Sequence, residues 1–111
     1  MPEKAFVVAR LSCVAAFLYS VPAGGEEAFE REYGPAGGWA EFFAGADGYL
    51  GTELHRGVED VGRYLVLDRW SDEGRYRAFL TARREEYERR GRAAEALYAT
   101  EDRLGAFLAV G

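Results

Sequence analysis

By type and spacing, the residues best suited to act on a small molecule are Trp70, Tyr76, Arg83 and Arg90. Trp70 closes a run with strand periodicity, and Tyr76 falls early in the helical segment that follows. A Trp at that place plugs the end of a core. It also offers a flat wall for an aromatic ligand, with Tyr76 reaching in beside it. Arg83 and Arg90 share the apolar stripe of that helical segment with Tyr76, Phe79, Leu80 and Tyr87. Their stems can cover apolar surface while their heads reach water. Turned toward a cavity instead, they would stabilise a phenolate or an oxyanion.

Other chemistries find few residues to carry them. His55 is the only histidine, near a strand end where a surface role is expected, so a histidine-rich metal site is excluded by inventory. No carboxylate pair has convincing ligand spacing, and no metal is expected. Cys13, the only cysteine, reads as a small buried apolar residue. A lone cysteine forms no internal disulfide, so a cytoplasmic location is the default. Gly24-Gly25 and Gly37-Gly38 mark turns and match no dinucleotide or phosphate-loop spacing. The net charge of −5 repels nucleic acid, and Arg83-Arg84 and Arg89-Arg90 are interleaved with Glu85, Glu86 and Glu88. The apolar stretch from Ala5 to Val21 carries Arg10 and is too short for a membrane helix. It also lacks a clear cleavage site, so neither a span nor a signal peptide is expected.

These residues need a scaffold, and 111 residues make one domain. The run from Cys13 to Val21, bounded by Pro22 and Gly24-Gly25, reads as a strand. Residues 1–12 read as an arm or an extension of that strand, with the domain over 13–111. Glu26 to Tyr33 reads as a helix, broken by Gly34-Pro35 and followed by a short helix over Trp39 to Ala44. Strands are expected over Tyr49 to Arg56 and Arg63 to Trp70. In the second, Tyr64, Val66, Asp68 and Trp70 share one face, and Leu65, Leu67 and Arg69 the other. Ser71 is the expected N-cap of a long helix interrupted at Gly91. Further helix is expected over Ala93 to Glu101, then a last strand over Leu104 to Val110.

The order is that of an α+β, ferredoxin-like βαββαβ fold, a four-stranded antiparallel sheet with helices on one face. The second sheet face, with Leu65 and Leu67, then needs cover, which a homodimer packed sheet to sheet supplies. The chain is also 14% aromatic, a surplus that a dimer interface or a ligand pocket would absorb.

Several runs carry a resemblance: Phe29-Glu30-Arg31-Glu32-Tyr33-Gly34, Gly38-Trp39-Ala40, Gly48-Tyr49-Leu50-Gly51-Thr52-Glu53-Leu54, Tyr64-Leu65-Val66-Leu67-Asp68-Arg69-Trp70 and Tyr76-Arg77-Ala78-Phe79. Over residues 13 to 110 the chain resembles the antibiotic biosynthesis monooxygenase family, whose members form a dimeric α+β barrel. The resemblance implies a homodimer with a cavity between sheet and helices in each subunit. It also implies oxidation of a quinol-like or polyketide-derived aromatic substrate by O2 without a cofactor. Carried over by position, Trp70, Tyr76 and Arg90 become the catalytic set, Trp70 stacking the substrate and the other two binding its oxygens. Tyr33, Trp39, Asp68, Phe79 and Arg83 become the expected substrate contacts. Quinol-oxidising members place an Asn where Val66 stands, and this chain has no Asn or Gln; Asp68, on the same face, is the available polar substitute. Haem-degrading members need a His about where Leu80 stands, which this chain lacks. A non-catalytic dimeric binder of a hydrophobic ligand, or an isomerase or cyclase in the same cavity, are the alternatives.

Overall fold

The computed structural model describes residues 11–110, so the arm expected over residues 1–12 lies almost wholly outside the described residues. The first strand, β1 (Cys13–Ser20), runs through the middle of a sheet and alternates strictly enough to bury Cys13, Ala15, Phe17 and Tyr19 on one face. Helix α1 (Glu26–Tyr33) follows, with Glu26 and Glu27 in its first turn where the helix dipole favours them. Its inner face carries Phe29 and Tyr33, stacked with centroids 4.3 Å apart. After the Gly34-Pro35 break comes the short helix α2 (Gly38–Phe43), then strands β2 (Tyr49–Arg56) and β3 (Arg63–Trp70).

Beyond β3 the chain departs from expectation in three places. The N-cap of α3 (Glu73–Ala82) is Asp72, whose side chain accepts from the Arg75 N–H at 2.8 Å, because the backbone stays extended one residue past Ser71. The long helix breaks at Arg83, not Gly91. Arg83 leaves helical geometry at φ −118° and ψ 30°, pairs with Glu86, and lies 5.0 Å over the Phe42 ring. Gly91 is inside α4 (Arg84–Ala94), which ends in a single 3-10 turn at Glu95–Leu97. Strand β4 (Thr100–Leu108) therefore starts earlier than expected and includes Glu101.

The sheet is fully antiparallel in the order β2-β3-β1-β4, the ferredoxin-like arrangement. Two bulges interrupt it. Between β2 and β3 the register moves from Tyr49 opposite Trp70 to Gly51 opposite Arg69, leaving Leu50 as the extra residue. Between β1 and β4 it moves from Ala16 opposite Gly105 to Phe17 opposite Arg103, leaving Leu104 extra. Gly51 at φ +136° and Gly105 at φ +124° take backbone conformations that side chains disfavour, as bulges often require. Past each bulge, the face each strand residue presents is exchanged.

The helices cover the inner face of the sheet, and aromatic rings fill the space between. Trp70 is fully buried, with Phe43, Tyr49, Tyr76 and Phe79 at 5.4–5.7 Å between centroids. On the outer face Leu18, Leu65 and Leu67 are half-buried, and Phe107 is 53% exposed. Two stability effects follow. Trp70→Ala should cost about 3–5 kcal/mol by urea denaturation, since a large ring leaves a closed core. Gly51→Ala should cost about 1 kcal/mol or more although the new methyl would meet no atom within 4 Å, because the penalty is torsional. An unchanged urea midpoint would contradict either assignment.

Candidate functional site

Between the sheet and helices α1, α2 and α4 lies a cavity of about 170 Å3. Phe17 and Tyr19 of β1 and Val66 and Asp68 of β3 form its sheet side. Tyr33, Trp39 and Phe43 close it from α1 and α2, and Tyr87, Glu88 and Gly91 from α4. Glu95, Tyr98 and Glu101 complete the lining. The walls are mostly aromatic, and the charged side chains that line it are all carboxylates.

Asp68 is the most buried of these, 6% exposed. The period of two in β3 forces it inward between Val66 and Trp70. Its Oδ1 accepts from the Thr52 hydroxyl at 2.7 Å, and that hydroxyl also meets the Tyr49 hydroxyl at 2.6 Å. Thr52 reaches Asp68 because of the β2 bulge. With the extra residue, Thr52 stands directly opposite Asp68, and Tyr49 and Thr52 both face inward. Desolvation pushes the Asp68 carboxyl up to about 6, partly opposed by the Thr52 hydrogen bond.

The β4 bulge acts the same way on the other side. It sets Glu101 opposite Tyr19, and the Tyr19 hydroxyl donates to Glu101 Oε2 at 2.6 Å. Burial first, and then this hydrogen bond, push the Tyr19 hydroxyl upward; burial also raises Tyr33 and Tyr87. These phenols stay neutral donors at physiological pH.

Of the residues singled out from sequence, Tyr33, Trp39 and Asp68 line the cavity. Trp70, Tyr76 and Phe79 form one packed group outside the lining. Phe43 links the two sets: its ring meets Trp39 at 5.9 Å on the cavity side, and Trp70 and Phe79 at 5.7 and 5.4 Å behind it. Arg90 is not among the lining residues. Its Nη2 donates to the Gly38 carbonyl at 2.8 Å, and its guanidinium lies 5.6 Å over both Trp39 and Phe42. Gly38 permits this approach, since a Cβ there would stand 2.6 Å from Arg90 Nη2. Arg83 is held by Glu86 and the rings of Phe42 and Phe79. Sequence reasoning passed over Thr52, Tyr19 and Glu101. The only signals for them were Gly51 and Gly105, glycines inside strand runs. Among the described residues no group of His, Cys, Asp and Glu is placed to hold a metal, and no helix is long and apolar enough to cross a membrane.

The buried carboxyl makes a testable contribution to stability. Its folded value of about 6 exceeds the ordinary 3.8, so the native chain keeps a proton that the unfolded chain has released. Stability therefore falls as pH rises from about 4 to 6. At about 1.4 kcal/mol per unit, the deficit reaches on the order of 3 kcal/mol above that window. Asn at this position still accepts from Thr52 and cannot ionise. Asp68→Asn should thus be the more stable protein at pH 7.5 by up to about 3 kcal/mol, with the gap closing below pH 4. Urea denaturation at the two pH values checks this; a pH-independent difference contradicts it.

The fold recurs in solved structures. A point mutant of SnoaB, a cofactor-independent oxygenase from Streptomyces nogalater, matches with a TM-score of 0.67 at 21% identity, over 90% of this chain and 94% of that one. SnoaB itself gives 0.65 at 23%, over 91% and 95%. PA3566 from Pseudomonas aeruginosa gives 0.64 at 19%, over 94% and 99%. At these identities the likeness establishes the fold alone. No curated protein matches the chain in sequence. The model of one family, described as antibiotic biosynthesis monooxygenase, matches residues 12–90. That match spans most of the domain, including β1 to β3, α1 to α3 and the first part of α4, and the chain belongs to the antibiotic biosynthesis monooxygenase family.

Proposed function

We propose that this protein is a cofactor-independent monooxygenase that oxidises an electron-rich phenol or quinol with molecular oxygen. The observation that carries the reading is the aromatic-walled cavity with a buried, half-paired carboxylate, in a chain of this family. The SnoaB likeness supports the fold on which such chemistry can run. In the proposed reaction the substrate loses a proton, and the resulting anion gives one electron to O2. Superoxide and the substrate radical combine to a peroxide anion, which takes back the proton released at the start and, as a hydroperoxide, loses water to leave a quinone, so one oxygen atom enters the product. The protein contributes a held ring, exclusion of bulk water and a proton acceptor.

The volume bears on the substrate. A dry cavity of about 150 Å3 is known to admit benzene, so about 170 Å3 suits one substituted ring better than fused polyketide rings. Tyr33, Trp39 and Asp68 are the proposed substrate contacts. Trp70, Tyr76 and Phe79 are proposed to act through Phe43 by fixing the cavity wall, and Arg90 and Arg83 by fixing Trp39 and Phe42. We further propose a homodimer through the outer sheet face, where no described element covers Leu18, Leu65, Leu67 and Phe107.

A second reading, a binding protein that returns its ligand unchanged, is favoured by the packing of Trp70 and Tyr76 in the core and by the absence of a cation among the cavity's lining residues. Oxygen uptake with a panel of monocyclic phenols and quinols separates the two. Turnover is expected from the wild type. Gly91→Leu, which adds bulk at the cavity wall where the built Cβ meets nothing within 4 Å, should lose it while its melting temperature holds or rises. A melting-temperature increase with ligand but no oxygen uptake would favour the binder. In sedimentation the wild type should run as a dimer and Leu67→Asp as a monomer; a monomeric wild type overturns the dimer.

A further inference from the structure

We infer that Asp68 Oδ2 is the group that receives the hydroxyl of a neutral phenolic ligand, hydrogen-bonding it on entry and taking its proton as the phenolate forms. The second half rests on the oxygenase reading above; the first half stands without it.

The geometry is that of a carboxylate half-used. Oδ1 is engaged by Thr52, and Oδ2 makes no hydrogen bond among the described residues, although the side chain lines the cavity in a residue only 6% exposed. Oδ2 is not among the fully buried side-chain atoms without a partner, so it keeps some open surface that an O–H donor can reach. The pair Tyr49–Thr52 fixes the carboxyl plane from the β2 side, so the unused oxygen has a defined position. An O–H donor in the cavity would complete it.

The surrounding charges decide which form of the ligand enters. Thr52 of β2 bonds Asp68 and is itself bonded by Tyr49, and the cavity lining shared with Asp68 includes Tyr19 from β1, Tyr33 from α1, Tyr87 and Glu88 from α4, Glu95 at the 3-10 turn, Tyr98, and Glu101 from β4. Arg103 weakly opposes the rise of the Tyr87 hydroxyl and does not line the cavity. Among charged side chains in the lining, a ligand that arrives as an anion meets only carboxylates. A neutral phenol is not repelled by them, and transfer of its proton to Asp68 leaves the cavity's total charge unchanged. In that step the phenol O–H bond breaks, its electron pair stays on the ligand oxygen, and an O–H bond forms at Oδ2. Nothing is oxidised until O2 accepts an electron. Burial, which raises the carboxyl to about 6, makes it a better proton acceptor than an exposed aspartate while leaving it ionised at pH 7.

The test measures binding before turnover. Titrate 4-methylphenol anaerobically by calorimetry from pH 5 to 8, with 4-methylanisole, which has no hydroxyl, and 4-hydroxybenzoate, which is anionic, as comparators. With a carboxyl near 6, the affinity of wild type for 4-methylphenol should rise about tenfold across the range. Binding of 4-methylanisole should not follow pH, and 4-hydroxybenzoate should bind at least tenfold more weakly than 4-methylphenol at pH 7. Asp68→Asn should remove the pH dependence. Thr52→Val should move it to higher pH, because the lost hydrogen bond favoured the ionised form, whereas a merely structural role for Thr52 would leave the midpoint in place. A pH dependence that persists in Asp68→Asn, its absence in the wild type, or equal binding of the benzoate overturns the inference. Oxygen uptake measured alongside keeps the two proposals apart. Ligand binding as described without uptake leaves the hydroxyl site standing and removes the oxygenase. Uptake by Asp68→Asn at the wild-type rate removes the proton-transfer role and leaves the oxygenase.

Discussion

Asp68 sits in the wall of the cavity with Oδ1 on Thr52 and Oδ2 without a hydrogen bond among the described residues, and the rest of the site can be understood from that placement. Desolvation of a carboxylate is expensive, and one hydroxyl offsets it only in part. The fold carries that burden by surrounding the group with large aromatic contacts, where most of the burial energy of so small a domain resides. A carboxyl kept at a loss to stability, in a hollow where a fully packed core would be more stable, is the pattern expected of a group retained for chemistry.

The polar partners of the cavity depend on two backbone irregularities. Without the extra residue at Leu50, Gly51 rather than Thr52 would oppose Asp68. Without the extra residue at Leu104, Asp102 rather than Glu101 would oppose Tyr19. Each bulge contains a glycine at positive φ, so two glycines in edge strands decide which side chains face a hollow formed by the whole domain.

This explains what could be read from the chain alone. The bounds of α1, β2 and β3 follow from local periodicity and breakers, and the inward set Tyr64, Val66, Asp68 and Trp70 follows from the pleat. Asp68 was therefore visible as an acid on an apolar stripe. Thr52 and Glu101 were not, because a glycine inside a strand does not reveal whether the register slips, and a one-residue slip reverses every later side chain. The break at Arg83 escaped for a related reason. No breaker residue marks it, and the contact found there, the Arg83 guanidinium over the Phe42 ring of α2, is one that local sequence does not reveal. Trp70, Tyr76 and Arg90 gather around the cavity's walls, but which side of Phe43 or Trp39 each occupies depends on three-dimensional packing.

Asp68 and the rings form two layers of one device. Phe43 and Trp39 face the cavity, while Trp70, Phe79 and Arg90 press on them from behind, so the outer layer sets the shape that the inner layer presents. The central claim is that the carboxyl at the heart of this arrangement is desolvated and only half-paired. A 13C NMR titration of the labelled Asp68 side chain in the ligand-free protein measures that property directly. The account predicts a midpoint near 6. A midpoint at or below the ordinary aspartate value of 3.8 would mean that both oxygens are well solvated or paired, and would contradict it.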